Sequence, residues 1–253
     1  MSGSIWVVGI GPGSLAHLTP AAREALEAAD VIVGYKTYLQ LLDSVAVEVP
    51  REASGMKKEV ARVCHAVDLA KRGSRVALVS SGDAGIYGMA GLVYEVLRQR
   101  DEPDIAVQVI PGISALNAAA SLLGAPLMLD FAVVSLSDQL IPLNDILQRL
   151  EAAAQADFVL CLYNPKGHAR TVPFERCCEI LTRWRPAETP VGIVRAAYRD
   201  GQRVQVTTLA GLPAAEVDML TVIIVGNSHT ALANGKMVTA RGYADKYELD
   251  GLA

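Results

Sequence analysis

The sequence predicts an α/β protein of two domains, the first built on a mostly parallel sheet and the second on a mixed one. Three observations carry this. Short apolar runs alternate with helical stretches through the first half. Those runs are near-continuous Val, Ile and Leu, as strands covered on both faces require. After Val194 the extended stretches follow one another with little helix between them, which calls for antiparallel pairing.

Taken in order, Ile5–Val8 is a short apolar strand and Gly9-Ile-Gly-Pro-Gly13 a loop. Thr19 can cap and Pro20 suits the first helical position, so an Ala-rich helix runs on to Ala29. Further strands are expected at Val31–Val33, Val45–Val49, Arg75–Ser80 and Ile105–Ile110. Helices are expected at Lys57–Arg72, Met89–Arg100 and Ser114–Leu123. Gly124-Ala-Pro126 is short and turn-prone, so a hinge is expected over residues 124–127, between domains 1–123 and 128–253. The second domain should hold strands at Ala132–Leu136, Phe158–Tyr163 and Val191–Val194, with helices at Pro142–Ala156 and Pro173–Trp184. Asp200-Gly201 is a hairpin signal leading into Gln202–Thr208, and Thr221–Val225 and Lys236–Thr239 complete the strands.

Composition excludes several classes. Of 253 residues 51% are apolar and 20% charged, enough for a substantial core and not the balance of a disordered chain. The net charge of −4 lacks the basic excess of a nucleic-acid binder. The opening Met1-Ser-Gly-Ser leads straight into Ile5, without the charged lead and longer apolar stretch of a signal peptide. The most apolar region, Ile110–Leu136, is broken by Pro111, Gly112, Gly124 and Pro126 and carries Asn117 and Asp130. A membrane helix needs about 20 uninterrupted apolar residues, so a soluble, cytoplasmic protein is expected. Cys64, Cys161, Cys177 and Cys178 form no Cys-x-x-Cys pair, and His17, His65, His168 and His229 are scattered. No bound metal is expected, and the thiols read as buried and reduced.

Three loops could carry chemistry. Gly11-Pro-Gly-Ser-Leu-Ala16 fits a dinucleotide fingerprint in form. Three features oppose a nicotinamide oxidoreductase: Pro12 removes an N–H donor, the helix begins late at Thr19-Pro20, and no acid stands in Gly34-Tyr35-Lys36. Ser80-Ser-Gly-Asp83-Ala-Gly-Ile-Tyr87-Gly88 follows an apolar strand and suits either a wrap around a small polar ligand or a turn capped by Asp83. Pro111-Gly-Ile-Ser114-Ala115 follows another strand, and Ser114 can cap the next helix without excluding a ligand. Three small-residue loops at carboxyl ends of strands in one sheet converge on one crevice.

As a set, these segments resemble the tetrapyrrole methylases. The matching residues are Gly9-Ile-Gly-Pro-Gly13 with Leu18-Thr-Pro-Ala-Ala22, Gly82-Asp-x-x-x-Tyr87-Gly88 and Pro111-Gly-Ile-Ser-Ala115, over a likeness from Ile5 to about Tyr243. Asp130-Phe131 with Ser135-Leu-Ser-Asp138, Leu162-Tyr-Asn-Pro-Lys166, Val225-Gly-Asn-Ser228 and Met237-Val-Thr-x-Arg-Gly-Tyr243 resemble one branch of the family. That branch methylates precorrin-3B at ring position 17 with ring contraction to precorrin-4, in cobalamin biosynthesis. The cobalt-containing substrate of the anaerobic route is the alternative acceptor. The scattered cysteines, offering no redox centre, lean toward the oxygen-dependent route. One stretch, Gln139-Leu-Ile-Pro-Leu143, departs from the branch pattern.

The resemblance implies two α/β domains with a cleft between, a homodimer, and S-adenosyl-L-methionine as methyl donor, giving S-adenosyl-L-homocysteine. Cofactor contacts are implied at Pro12, Gly82, Asp83, Ile86, Tyr87, Ser114 and Ala115, and at Tyr163, Asn164, Arg195, Ala196, Gly226 and Asn227. Loss of a macrocycle hydroxyl proton during contraction calls for a general base, with Asp83, Asp138 and Tyr163 as candidates for acid–base work. Lys36, Lys57, Lys58, Arg170, Arg195 and Arg199 are candidates for pairing with substrate carboxylates. Partners are thus the precorrin substrate, a second copy and, transiently, neighbouring corrin-pathway enzymes, with neither nucleic acid nor membrane. Other readings are a methylase of the same fold acting on an RNA base or a modified histidine, and a non-catalytic tetrapyrrole carrier.

Overall fold

The computed structural model describes residues 3–43, 45, 48–167 and 169–247. The chain divides into two compact units, residues 1–115 and 116–253.

In the first unit the elements are β1 (Ser4–Gly9), α1 (Pro20–Ala28), β2 (Val31–Tyr35), α2 (Lys36–Gln40), β3 (Arg51–Ser54), α3 (Glu59–Lys71), β4 (Arg75–Ser80), α4 (Ala90–Arg100) and β5 (Ala106–Ile110). The sheet order is β3-β2-β4-β1-β5, and every pairing is parallel. The apolar runs of β1, β2 and β4 are buried on both faces, as their composition demands, whereas β5 at the edge is largely exposed. Ile5, Val7, Val31, Val33, Val76 and Leu78 pack toward α3 and α4, while Val8, Ile32, Ala77 and Val79 pack toward α1 and α2. Thr19 Oγ accepts from the Ala22 N–H at 3.1 Å and Pro20 takes the first helical position, so α1 starts where the sequence places it.

One expected strand moves. Val45–Val49 is not a strand at its described positions, and residues 46 and 47 lie outside the described residues. The strand pairing β2 is the polar Arg51–Ser54, an edge strand with Glu52 and Ala53 exposed and Arg51 and Ser54 half-buried, which needs no apolar run.

The second unit holds most of α5 (Ala115–Leu123), then β6 (Gly124–Ala125), β7 (Phe131–Ser135), α6 (Leu143–Gln155), β8 (Val159–Tyr163), α7 (Val172–Trp184), β9 (Pro190–Arg195), β10 (Arg203–Thr208), β11 (Thr221–Val225), β12 (Thr230–Ala233) and β13 (Lys236–Thr239). The larger sheet runs β10-β9-β11-β8-β7, parallel between β7 and β8 and antiparallel elsewhere. Leu160, Leu162, Val191, Ile193, Ile223 and Val225 face α6 and α7. Gly192 lies against α5: a Cβ there would sit 2.3 Å from Leu123 Cδ1 and 2.8 Å from Met237 Sδ. The segment expected as a hinge is itself structured, since Gly124 and Ala125 pair in parallel with Met237 and Val238 in a small third sheet. Leu123 packs on Gly192 and Ser121 Oγ lies 2.9 Å from Tyr198 Oη, so α5 packs with residues later in the chain. Among the described residues, no helix is long and apolar enough to cross a membrane.

Candidate active site

All five strands of the first sheet are parallel, so their carboxyl ends share one edge, where ligands of α/β sheets bind. The three small-residue loops meet there. Gly11 and Gly82 exchange backbone hydrogen bonds, at 3.0 Å from Gly11 N–H and 2.7 Å from Gly82 N–H. Both glycines have left-handed φ, 71° and 69°, a conformation costing a side-chain-bearing residue about 1–2 kcal/mol. Gly112 fits between the other two loops: a Cβ on it would lie 2.3 Å from Gly82 O and 2.5 Å from Gly9 O. The loops thus touch backbone to backbone. The Gly11 N–H is occupied by Gly82 O, Pro12 has none, and α1 begins only at Pro20, so this turn is not built as a pyrophosphate cradle.

Asp83 ties the arrangement together. Its Oδ1 accepts from the Gly85 and Ile86 N–H groups at 2.7 and 3.0 Å, and its Oδ2 accepts from the Gly112 N–H at 3.1 Å. The capped-turn and ligand-loop readings therefore coincide: the carboxylate shapes the loop and joins it to the third. Ile86 and Tyr87, 39% and 55% exposed, project from it. Tyr87 is held at φ 52°, a strained conformation of the kind that gathers at functional sites. Pro12 and Ser114 are buried beside this contact, and Ala115 begins α5. Gly9 and Gly112 lie outside the contacts the family resemblance implies, although Gly-Pro-Gly and Pro-Gly spacings after strands already mark close backbone approach.

In the second unit, β7, β8 and β9 point the same way, so Ser135, Tyr163 and Arg195 end at one edge. Asn164 and Ala196, the next residues after β8 and β9, both have left-handed φ, 52° and 50°. Tyr163 Oη accepts the Leu116 N–H at 2.8 Å in the first turn of α5. Asn164 Nδ2 donates to Ser135 Oγ at 2.9 Å. Arg170 staples the two neighbouring loops, donating to Leu136 O and, at 2.8 Å, to Asn164 O. Its Nε lies 3.8 Å from Asp138 Oδ1, a buried oxygen with no hydrogen-bond partner among the described residues. Asp138 does not cap the following helix, whose N-cap is Pro142. Arg195 Nε donates to Asp218 Oδ2 at 2.8 Å. Burial pushes the Asp218 carboxyl up, but hydrogen bonds from Arg195, Thr221 and the Leu220 N–H, with the Arg195 charge, hold it below its ordinary 3.8.

Gly226 and Asn227 stand apart from this group. β11 runs antiparallel to β8 and β9, so its carboxyl end lies where those strands begin. The Gly226 N–H donates to Pro190 O at 2.9 Å, and Asn227 Nδ2 to Asp157 O at 3.0 Å. A ligand seated at the edge of Tyr163 and Arg195 would have to span a strand, roughly 15 Å, to touch them. The Asn227 side chain is also taken up within its turn, accepting from the His229 N–H and the Thr230 hydroxyl. Among the described residues, no group of three or more His, Cys, Asp or Glu side chains could hold a metal ion.

The sequence model of the tetrapyrrole (corrin/porphyrin) methylases matches residues 4–213. The chain belongs to this family. A cobalt-factor III methyltransferase of Priestia megaterium is 49% identical over 99% of this chain, which spans 47% of that protein. A probable cobalt-factor III C(17)-methyltransferase of Salmonella typhimurium is 48% identical over 94% of this chain and 98% of its own length. A precorrin-3B C(17)-methyltransferase of a Sinorhizobium species is 38% identical over 92% of both. Among solved structures, the methyltransferase CobJ superposes with a TM-score of 0.88 at 34% identity, covering 94% of this chain and all of that one. This tetrapyrrole methylase thus spans about half of one curated relative and nearly all of another.

Proposed function

We propose that this tetrapyrrole methylase transfers a methyl group from S-adenosylmethionine to C-17 of a corrin-pathway macrocycle, with ring contraction. The observation carrying the reading is the two-way coverage at 48% identity with the Salmonella protein. Relatives named for cobalt-factor III stand at 42–49% identity and a relative named for precorrin-3B at 38%. Cobalt-factor III is therefore the first acceptor to test and precorrin-3B the second, the reverse of the order the sequence motifs suggested.

The first unit's loops fit the donor chemically. Tightly apposed glycine backbones leave main-chain groups, not bulky side chains, to meet a ligand, and Ile86 and Tyr87 offer apolar surface. S-adenosylmethionine, when bound, supplies a methyl group made electrophilic by its sulfonium, so the protein mainly has to position it. In this reading Pro12, Gly82, Asp83, Ile86, Tyr87, Ser114 and Ala115 form the donor site. Tyr163, Asn164, Arg195 and Ala196 remain candidates in the second unit, and Gly226 and Asn227 are turn-forming residues. For proton transfer Asp138 is favoured over Asp83. Both Asp83 oxygens already accept backbone hydrogen bonds, whereas Asp138 keeps one oxygen without a donor. Tyr163 holds the start of α5 and acts as a positioning residue. We read the working form as a cytoplasmic homodimer that passes its product to the next corrin enzyme.

The test is incubation with methyl-labelled S-adenosylmethionine and each macrocycle in turn, followed by mass and absorbance. A product one methyl heavier is expected. Its absence with both macrocycles would overturn the reading.

A further inference from the structure

The carboxyl edge of the first sheet has two halves. β4, β1 and β5 carry the three loops assigned to the methyl donor. β3 and β2 end beside them, in register at Ser54 and Tyr35, and the segments leaving these two strands carry the three lysines that the sequence offers for substrate carboxylates. After β2 comes Lys36, and after β3 comes Gly55-Met-Lys-Lys58. Lys36, Lys57 and Lys58 are all exposed, and among the described residues none pairs with a carboxylate. By contrast, the two cations carried on the strands of this sheet, Arg51 and Arg75, each face an acid.

Beneath the lysines lies a fourth cation. Arg62 is only 4% exposed, yet its hydrogen-bond partners are neutral: Ser54 Oγ at 2.6 Å, Gly55 O at 3.0 Å and, weakly, Met89 Sδ at 3.9 Å. Its guanidinium also lies 5.8 Å from the Tyr35 ring centroid. These contacts hold the Gly55–Lys58 turn against the end of β2 and against Met89, which closes the donor loop. The nearby acids leave a cationic excess: Glu52 pairs with His65, Asp43 with Arg51, and Glu59 opens α3. Met56, 68% exposed, adds apolar surface between the cations.

We infer that Lys36, Lys57 and Lys58, positioned by Arg62, form a subsite for peripheral carboxylates of the macrocycle, next to the donor loops and within the first unit. An apolar ring with a carboxylate rim matches an exposed Met flanked by unpaired lysines. The inference deepens the proposed function and rests on it for the identity of the acceptor.

The test uses the full chain and a triple variant, K36A/K57A/K58A, whose altered side chains are all exposed. Uroporphyrin, its carboxylates free, is titrated by absorbance, with its methyl ester as control; S-adenosylhomocysteine is titrated by calorimetry. Exposed ion pairs contribute about two- to threefold each, so roughly tenfold weaker uroporphyrin binding is expected from the triple variant. Its affinity for S-adenosylhomocysteine should be unchanged, and the acceptor KM should rise by about the same factor with kcat little changed. Binding of uroporphyrin that is equal in variant and wild type, or absent from wild type, overturns the subsite. A wild-type protein that binds uroporphyrin through these lysines yet methylates neither macrocycle overturns the proposed function and leaves the subsite standing.

Discussion

Replacing Asp83 by Ala separates the shaping of the donor site from the chemistry. The carboxylate accepts three backbone N–H groups, and hydrogen bonds to a charged group contribute about 1.5–3 kcal/mol each when no water can substitute. Gly85 and Ile86 are exposed, so water replaces most of what their amides lose. The Gly112 amide differs. It sits in a backbone contact too tight for even a Cβ, with Gly82 O and Gly9 O closing around it. Adding one poorly replaced bond to two well-replaced ones gives a net cost of about 2 kcal/mol for holding the loops in register. Donor-site affinity should then fall by roughly 30-fold, since 1.4 kcal/mol is tenfold. Calorimetry with S-adenosylhomocysteine on wild type, Asp83→Ala and Asp83→Asn measures this, with the Asn variant, which keeps one acceptor oxygen, in between. Unchanged affinity with lost turnover would refute the reasoning and make Asp83 a participant in the reaction.

Three further outcomes are expected from described contacts. Gly112→Ala forces two carbonyl oxygens away from the new Cβ, so stability should drop by about 1–3 kcal/mol in urea titration and S-adenosylhomocysteine binding should weaken with it. Burial pushes the Cys161 thiol up to about 12, the Cys178 thiol up to about 11 and that of Cys177 well above its ordinary 9.0. All three are protonated at neutral pH, so a disulfide reagent should modify half-buried Cys64 first and reach all four cysteines only in denaturant; rapid native labelling of Cys177 or Cys178 would contradict this. The Asp218 carboxyl is held below its ordinary 3.8, so the folded state binds its proton less readily than the unfolded chain. Its contribution is complete above about pH 5 and is lost as pH falls through the lowered value; the pair with Arg195 is partly exposed, so the effect stays under about 1 kcal/mol. Asp218→Asn should flatten that part of the stability–pH curve, and an unaltered acid slope would show that the pair contributes nothing.

The apolar strands and their helices were legible because burial on two faces leaves a mark in the sequence: Arg75–Ser80 and Thr221–Val225 run as expected. β3 was not legible, because the polar Arg51-Glu-Ala-Ser54 at a solvent-facing edge carries no such mark. β12 could have been found from Asn234-Gly235, whose φ values of 51° and 73° are those of a tight hairpin turn. In the site, spacing alone marked the glycine loops, and the structure adds which backbone groups meet. The separation of Gly226 and Asn227 from Arg195 and Tyr163 was out of reach, since it depends on β11 running against its neighbours, and no local pattern records strand direction. The Arg170 staple depends likewise on two loops becoming neighbours through the β7–β8 pairing.

The position of β11 also bears on how the chain is made. Every strand of the first sheet has left the ribosome once Ile110 is out, so that sheet can assemble while synthesis continues. The second sheet cannot, because β11 lies at its centre and separates the β10–β9 pair from the β8–β7 pair. Until residue 225 emerges there are two ribbons with a missing middle, each showing an unpaired edge to any passing strand. At roughly 5–20 residues per second, the stretch from Thr208 to Val225 holds the nascent second sheet in that open state for about 1–3 s. Its exposure to mispairing during translation is therefore governed by the late arrival of one short apolar strand.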